Sequence, residues 1–503
     1  MKKAFKVIAY LLIILISTLT LSKLFIRRSD TLPSNDVLKL EGFFAEPKDS
    51  LDVLVIGAST TYMAINPSIL WREYGIPAYA FSNSGMRVQL AQLYVKEAIA
   101  RQHPDVIVLD INGTRHDGDY VREGHAYTML NEFPLSWNKL RTIFTYTPSD
   151  EWWGHVLPLI KYHSSYSVDF DNLDPIKQDP YLGYSPYFGN YNKEVDLLVH
   201  ADVTESSEIT ENAERALREI IQVCKDEGVQ LVFYTPAIAL SKQQRQRLNY
   251  VIGIAEEEGI PCLDLCTREW QETVDFHSST DQSNYTNHAN WRGAEKITRA
   301  LGDFLVENTG VTDRRGEEAY AHWDDKTKPY YHEKAVYLAG EALKGIKQLD
   351  EYMATLPGVQ AEGLCTVVMV MDEGSKFMTE AADASLMSMG AVEPLKEQFR
   401  AGYLLVLVDG ECVYSGISAE NALVFDSAAL SREDVNVQAC SAGYDVINGT
   451  ENEEDIEYNT VILDGEKITA KRGINVFVYD YVNGEIVDQA RFDTYTTTER
   501  SAK

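Results

Sequence analysis

Four residues in this chain have the types and the order that acyl-transfer chemistry requires: Ser59, Gly85, Asn112 and His288. Such chemistry needs a nucleophile, a base within hydrogen-bond reach of it, and donors for the oxygen that becomes negative as a carbonyl is attacked. In "DVLVIGAST" an apolar run stops at Gly57-Ala58, so the Ser59 hydroxyl lies where a buried strand gives way to a loop. Gly85 closes "AYAFSNSG" and offers a backbone N–H with no side chain in the way. Asn112 follows "DVIVLDI" and offers a side-chain amide, while His288 in "NHANWRGAEK" supplies an imidazole just ahead of a helix. The Ser59 amide completes the set of oxyanion donors. Each residue alone also has an ordinary reading, as a helix cap, a strand-end turn or a surface histidine. Their joint placement decides between the readings.

That placement depends on the elements around them. "DVLVIGAS" (52–59) is a near-continuous apolar run, the pattern of a strand covered on both faces. In "NPSILWREYG" Asn66 is a cap, Pro67 suits the first helical position, and Gly75 ends the helix in the left-handed conformation. A strand over 78–85, a helix over 88–102 and a strand over 105–113 follow. After about Glu211 the alternation resumes: a helix to Gly228, "VQLVFYTP", a helix toward Gly259, "PCLDLC" and a final helix "GAEKITRALGDFL". Strands alternating with helices predict right-handed crossovers and a parallel sheet with helices on both faces. Ligands collect at the carboxyl ends of such strands, where Ser59, Gly85 and Asn112 all fall. Residues 113–210 form a long insertion rich in aromatics, expected to be a helical cap, some of whose rings wall a substrate cleft.

Together "GAST" (57–60), "NSG" (83–85), "DING" (110–113) and "HANWRGAEK" (288–296) resemble the SGNH (GDSL-type) hydrolase family over about residues 50–325. The resemblance implies a flavodoxin-like α/β fold. It also implies roles for the serine as nucleophile, the histidine as base, and the glycine and asparagine as oxyanion donors. "INP" at 65–67 is similar to the membrane-tethered bacterial branch of that family. One departure stands out. The family places an aspartate three residues before the histidine, and here that position is Tyr285. Asp281 is the candidate acid if the loop carries an insertion; otherwise Ser59 and His288 act as a dyad, or catalysis is lost. His277 is a competing base. A reading from a different class makes "GASTT" a phosphate-cradling loop for a flavin, but the loop lacks the further glycine such a cradle needs. No cofactor is therefore expected.

The N-terminal 28 residues contain an apolar stretch from about Val7 to Ile26, long enough to cross a bilayer. No small-x-small cleavage site follows it, which favours an uncleaved anchor over a signal peptide. Lys2, Lys3 and Lys6 on one side nearly balance Lys23, Arg27 and Arg28 on the other. The body is placed outside the cytoplasm because a single N-terminal segment usually acts as a signal-anchor. A net charge of −30 leaves no excess of Lys and Arg to neutralise phosphates, which argues against nucleic acid. The six cysteines lack metal-ligand spacing and read as buried thiols, with a pairing among Cys365, Cys412 and Cys440 open in an oxidising compartment; no metal site is expected.

Beyond a polar linker (29–50), the α/β domain (51–325) and a connecting helix (326–358), the period shifts to two from Cys365 onward. Asp409-Gly410 and Asn483-Gly484 are hairpin turns between alternating segments, so residues 359–497 read as a mostly-β sandwich. "YLLVLVDGECVY" (403–414), "SAGYD" (441–445) and "KRGINVFVYDYVNGEIVDQARFDTY" (471–495) resemble the interleukin-like EMT-inducer domain. That resemblance implies a lectin-like, carbohydrate-binding unit, in which Phe492, Asp493 and Tyr495 are motif residues that could equally be structural. The expectation is thus a membrane-anchored extracytoplasmic serine esterase or O-acyltransferase acting on acyl groups, acetyl foremost, of a cell-envelope polysaccharide. An acyl-donor membrane protein is a candidate partner. The alternative is a glycan-binding scaffold whose hydrolase-like domain is inactive.

Overall fold

Apolar runs too continuous for a half-exposed sheet become five short strands: Val53–Ile56 (β1), Ala78–Tyr79 (β2), Val106–Asp110 (β3), Gln230–Thr235 (β4) and Cys262–Asp264 (β5). In this computed structural model, which describes residues 2–24, 35–121, 124–130, 133–162, 178–283, 287–449 and 458–501, they form one sheet in the order β2-β1-β3-β4-β5. Every pair is parallel. Each residue of β1 and β3 is buried, as two-sided cover demands. The helices Val88–Gln102 and Glu211–Glu227 pack together on one face, and Pro67–Tyr74 and Trp291–Asn308 on the other. This is the flavodoxin-like strand order, in which the switch in direction of winding falls between β1 and β3.

Local signals set the helix ends. Asn66 accepts a hydrogen bond from the Ser68 N–H (2.9 Å) at the start of Pro67–Tyr74, and Gly75 closes that helix at φ 70°. β2 is shorter than the sequence pattern suggests: after Tyr79 the chain leaves the ladder and runs as an extended loop to Gly85. Ala80 N–H bonds instead to Leu182 O (2.9 Å), a residue of the insertion. The insertion contains the helices His125–Leu130, Trp137–Tyr146, Trp152–Val156 and Pro158–Tyr162; Ile143 and Tyr146 join the main core.

The chain divides into two compact units, Met1–Tyr330 and Tyr331–Lys503, the division falling within the helix Trp323–Leu343. In the first unit, Lys2–Leu24 is one helix, and its Phe5–Ser22 window has a mean hydropathy of 2.1, apolar and long enough to cross a membrane. Arg27 and Arg28 lie outside the described residues. Asn35–Ala45, in the stretch that reads as a linker, is a helix whose Leu40 and Phe43 enter the core. The Phe43 ring stacks on Phe81 at 3.8 Å between centroids.

The second unit is built on an antiparallel sheet. It is formed by Leu364–Met371 (β6), Gly402–Val408 (β7), Glu411–Ser418 (β8), Gly473–Asp480 (β13) and Glu485–Phe492 (β14), in the order β14-β13-β6-β7-β8. Four more strands make a second antiparallel sheet in the order β12-β11-β10-β9: Leu423–Asp426 (β9), Val437–Ser441 (β10), Thr460–Leu463 (β11) and Glu466–Thr469 (β12). Val367, Met369, Val406 and Phe477 from the first sheet meet Phe425, Val437 and Val461 from the second, giving a sandwich. The other face of the larger sheet is covered by Ala339, Leu343, Leu349 and Tyr352, residues of the stretch that reads as a connecting helix. All six cysteines are free, including Cys365, Cys412 and Cys440, and Cys412 is the exposed one.

Because Phe43 is fully buried against Phe81, Phe43→Ala removes a core ring and leaves a cavity. Chemical denaturation of the first unit should show a loss of about 3–5 kcal/mol. A loss under ~1 kcal/mol would mean that the helix Asn35–Ala45 is not part of this core.

Candidate active site

The carboxyl ends of β1, β2 and β3 are knitted into a single rim. After β1, Gly57 O accepts the Asn83 N–H (3.1 Å) from the loop beyond β2. Ala58 is extended and caps the short helix Ser59–Tyr62, so Ser59 is its first residue. On the neighbouring loop the chain turns at Ser84-Gly85, and Gly85 sits at φ 63°, a left-handed conformation that a side chain would disfavour. The Ser84 hydroxyl is bonded to the Tyr62 hydroxyl (2.8 Å), which ties this turn to the Ser59 helix. At the end of β3, Ile111–Thr114 forms a tight turn that contains the buried Asn112. The turn lies against the loop after Gly85, since a Cβ on Gly113 would stand 3.1 Å from Met86 O.

His288 reaches this rim from the far end of the domain. Its loop is held by a bridge between Gln282 and Ala289, with Ser283 N–H donating to His288 O (2.9 Å) and Asn290 N–H to Asp281 O (2.9 Å). Asn290 then caps Trp291–Asn308, accepting from the N–H groups of Arg292 (3.0 Å) and Gly293 (3.1 Å). The outcome is a hydrogen bond of 2.8 Å between His288 Nε2 and Ser59 Oγ, across 229 positions of sequence. With a neutral imidazole protonated at Nδ1, the Ser59 hydroxyl donates to Nε2. Burial holds the His288 pKa below its ordinary 6.5, which keeps the ring in that neutral, proton-accepting form.

One expectation about a neighbouring group needs correcting. Asp281 is almost fully buried, but its carboxylate is committed to Lys296 Nζ (2.9 Å) and to the His277 N–H (2.8 Å). It braces the His288 loop through that ion pair and through its own carbonyl. Tyr285, three residues before His288, lies outside the described residues. The competing base, His277, is an exposed residue whose Nε2 bonds Asp275 (2.9 Å).

Sequence reasoning missed two further features of the rim. One is a strap from the insertion. Ser185 N–H donates to Tyr62 O (2.9 Å), Trp291 N–H to Tyr187 O (2.9 Å), and Tyr191 N–H to Gln282 O (3.0 Å). The strap thus joins the Ser59 helix to the loop and helix that flank His288, and its Tyr187 ring is 43 % exposed. The other is Asp110, the last residue of β3, whose carboxylate accepts the Thr61 hydroxyl (2.7 Å). An acid closing an apolar strand is a signal for such a partner, because a buried carboxylate must be satisfied. In the second unit, Phe492 is a core residue and Asp493 pairs with Arg472 (2.8 Å). Tyr495 is exposed, with Lys376 Nζ 4.0 Å from its ring centroid.

No family model matches the chain, and no curated protein matches it. Solved structures similar to part of it include one described as a lipolytic protein of the G-D-S-L family from Desulfitobacterium hafniense, at 11 % identity and TM-score 0.26, covering 50 % of this chain and 98 % of that one. A second, described as an acylhydrolase from Bacteroides fragilis, is 8 % identical at TM-score 0.27, covering 56 % and 99 %. A variant of the esterase AlinE4 is 12 % identical at TM-score 0.23, covering 53 % and 100 %. At these scores the likeness assigns neither activity nor substrate to this chain.

The depressed His288 pKa fixes the sign of a titration. On acidification the imidazole should be more than half neutral at pH 6.5 and reach its midpoint at lower pH, where protonation ends its acceptance of the Ser59 proton. An NMR titration of the His288 ring should give a midpoint below 6.5. A midpoint at or above that value would place the ring in a solvated or anion-paired setting.

Proposed function

We propose that this chain is a serine esterase or O-acyltransferase, anchored in the membrane by Lys2–Leu24 with its body outside the cytoplasm, acting on acyl groups of a cell-envelope polysaccharide. The observation that carries the reading is the 2.8 Å hydrogen bond between the half-buried Ser59 Oγ and His288 Nε2, at the strand ends where Gly85 and Asn112 also lie. In this reading Ser59 Oγ attacks the carbonyl carbon as its proton passes to His288 Nε2. The Ser59 and Gly85 amides and the Asn112 side chain hold the oxyanion. Collapse of the tetrahedral intermediate breaks the ester C–O bond, the imidazolium protonates the departing alkoxide, and the acyl group remains on Ser59. Water then releases it in a hydrolase, or a second hydroxyl accepts it in a transferase. Asp281 serves by bracing the loop that presents His288.

The glycan part of the reading is supported by exposed rings: Tyr187 on the strap beside the rim and Tyr495 on the β unit are surfaces of the kind on which sugar rings pack. A linked glycan-binding unit raises the local concentration of substrate without any new contact at the rim. Acetyl is the acyl group favoured.

Ser59→Ala should lower turnover of 4-nitrophenyl acetate by about 10⁴-fold or more with an unchanged melting temperature. A fluorophosphonate should label Ser59 in the parent protein. Full activity in the variant would refute the assignment, and a folded parent that resists labelling would favour the glycan-binding scaffold.

A further inference from the structure

We propose that Asp110 is a positioning residue that sets the Ser59 nucleophile and the Asn112 oxyanion donor in one fixed geometry. The inference rests on the reading of Ser59 as the nucleophile and adds to it a group that neither touches the acyl carbon nor orients the base.

The carboxylate stands between the two turns. One oxygen, Oδ2, accepts the Thr61 hydroxyl at 2.7 Å, and the other, Oδ1, accepts the Asn112 N–H at 2.8 Å. Thr61 lies two residues after Ser59 in the same short helix, so the turn that presents the nucleophile is tied to this acid. The Asn112 turn is held by the same acid through its backbone.

Three features show that this contact is built in. Asp110 is only 4 % exposed, and burial raises its carboxyl pKa. Leaving an acid there is costly, and an apolar residue would serve the strand better unless the hydrogen bonds are needed. Gly57 makes the approach possible: a Cβ at that position would come within 2.6 Å of the Asp110 Cβ and overlap the Thr61 hydroxyl. Arg115, half-buried, places a compensating positive charge nearby.

The chemical consequence is preorganisation. Oxyanion donors stabilise a transition state only when already aimed at the oxygen's final position, and a displacement of about 1 Å costs roughly 10²-fold in rate. Cutting Asp110 out lets the Ser59 turn and the Asn112 turn relax independently. Bound substrate is little affected; the attack step is.

The test uses the full chain in detergent with 4-nitrophenyl acetate. Asp110→Asn replaces an acceptor by an N–H donor facing other donors, and should lower kcat by about 10²-fold with KM within threefold. Thr61→Val, which removes one of the bonds, should lower kcat by about tenfold, and Thr61→Ser, which keeps the hydroxyl, should recover most of it. The rate of fluorophosphonate labelling at Ser59 should fall in the same order. A kcat within twofold of the parent in folded Asp110→Asn or Thr61→Val overturns the proposal. So does a rise in KM at constant kcat, or a loss that Thr61→Ser fails to recover. Should Asp110→Asn not fold, the Thr61 pair decides alone. Failure of Ser59→Ala to abolish turnover would sink the nucleophile reading instead, a result separate from these.

Discussion

The parallel register of β1 on β3, with Val55 beside Val108 and Ile56 beside Leu109, is the constraint on which the rim depends. Two strands that run in step finish together, so the residues just past their ends become neighbours. Gly57 to Ser59 and Asp110 to Asn112 are those residues. A slip of one position would turn each side chain to the opposite face and carry Asp110 away from Thr61. Two-sided burial of both strands makes such a slip expensive, since every residue of β1 and β3 is enclosed.

On this base the molecule adds parts from distant places in the sequence. The loop beyond β2 is bonded back to Gly57, the insertion supplies a strap that touches both Tyr62 and Trp291, and the last helix delivers His288. None of these parts is held by apolar packing alone. Each is tied by backbone hydrogen bonds whose partners are fixed groups, which favours a site stiff enough to need little rearrangement. The insertion therefore has a structural share in the rim as well as in the core.

How much of this was legible in the sequence depended on the range of the interaction. Helix ends at Asn66, Gly75, Gly228 and Gly259 were readable because capping and left-handed turns are settled within a few residues. The hairpin at Asp409-Gly410 was readable for the same reason, both residues adopting positive φ (56° and 80°). The meeting of Ser59 with His288 was legible only through motif order, since nothing local to either residue requires it. The commitment of Asp281 to Lys296 was hidden, because sequence distance from His288 says nothing about which way a carboxylate turns. The strap was hidden too, because backbone groups carry no residue-type signature, and the acid that ends β3 signalled a buried partner without showing that the partner is Thr61. The helix Asn35–Ala45 was missed because polar flanks on both sides outweighed the short apolar stripe that Leu40 and Phe43 provide.

The 229 positions between Ser59 and His288 also bear on how the protein matures. A ribosome delivers the proposed nucleophile long before the proposed base, and contacts of such long range form late in folding. Until the closing helix of the first unit has docked, the serine is an ordinary alcohol. A chain truncated or stalled short of Trp291–Asn308 would thus stay chemically inert at this serine, with reactivity switched on only by completion of the fold.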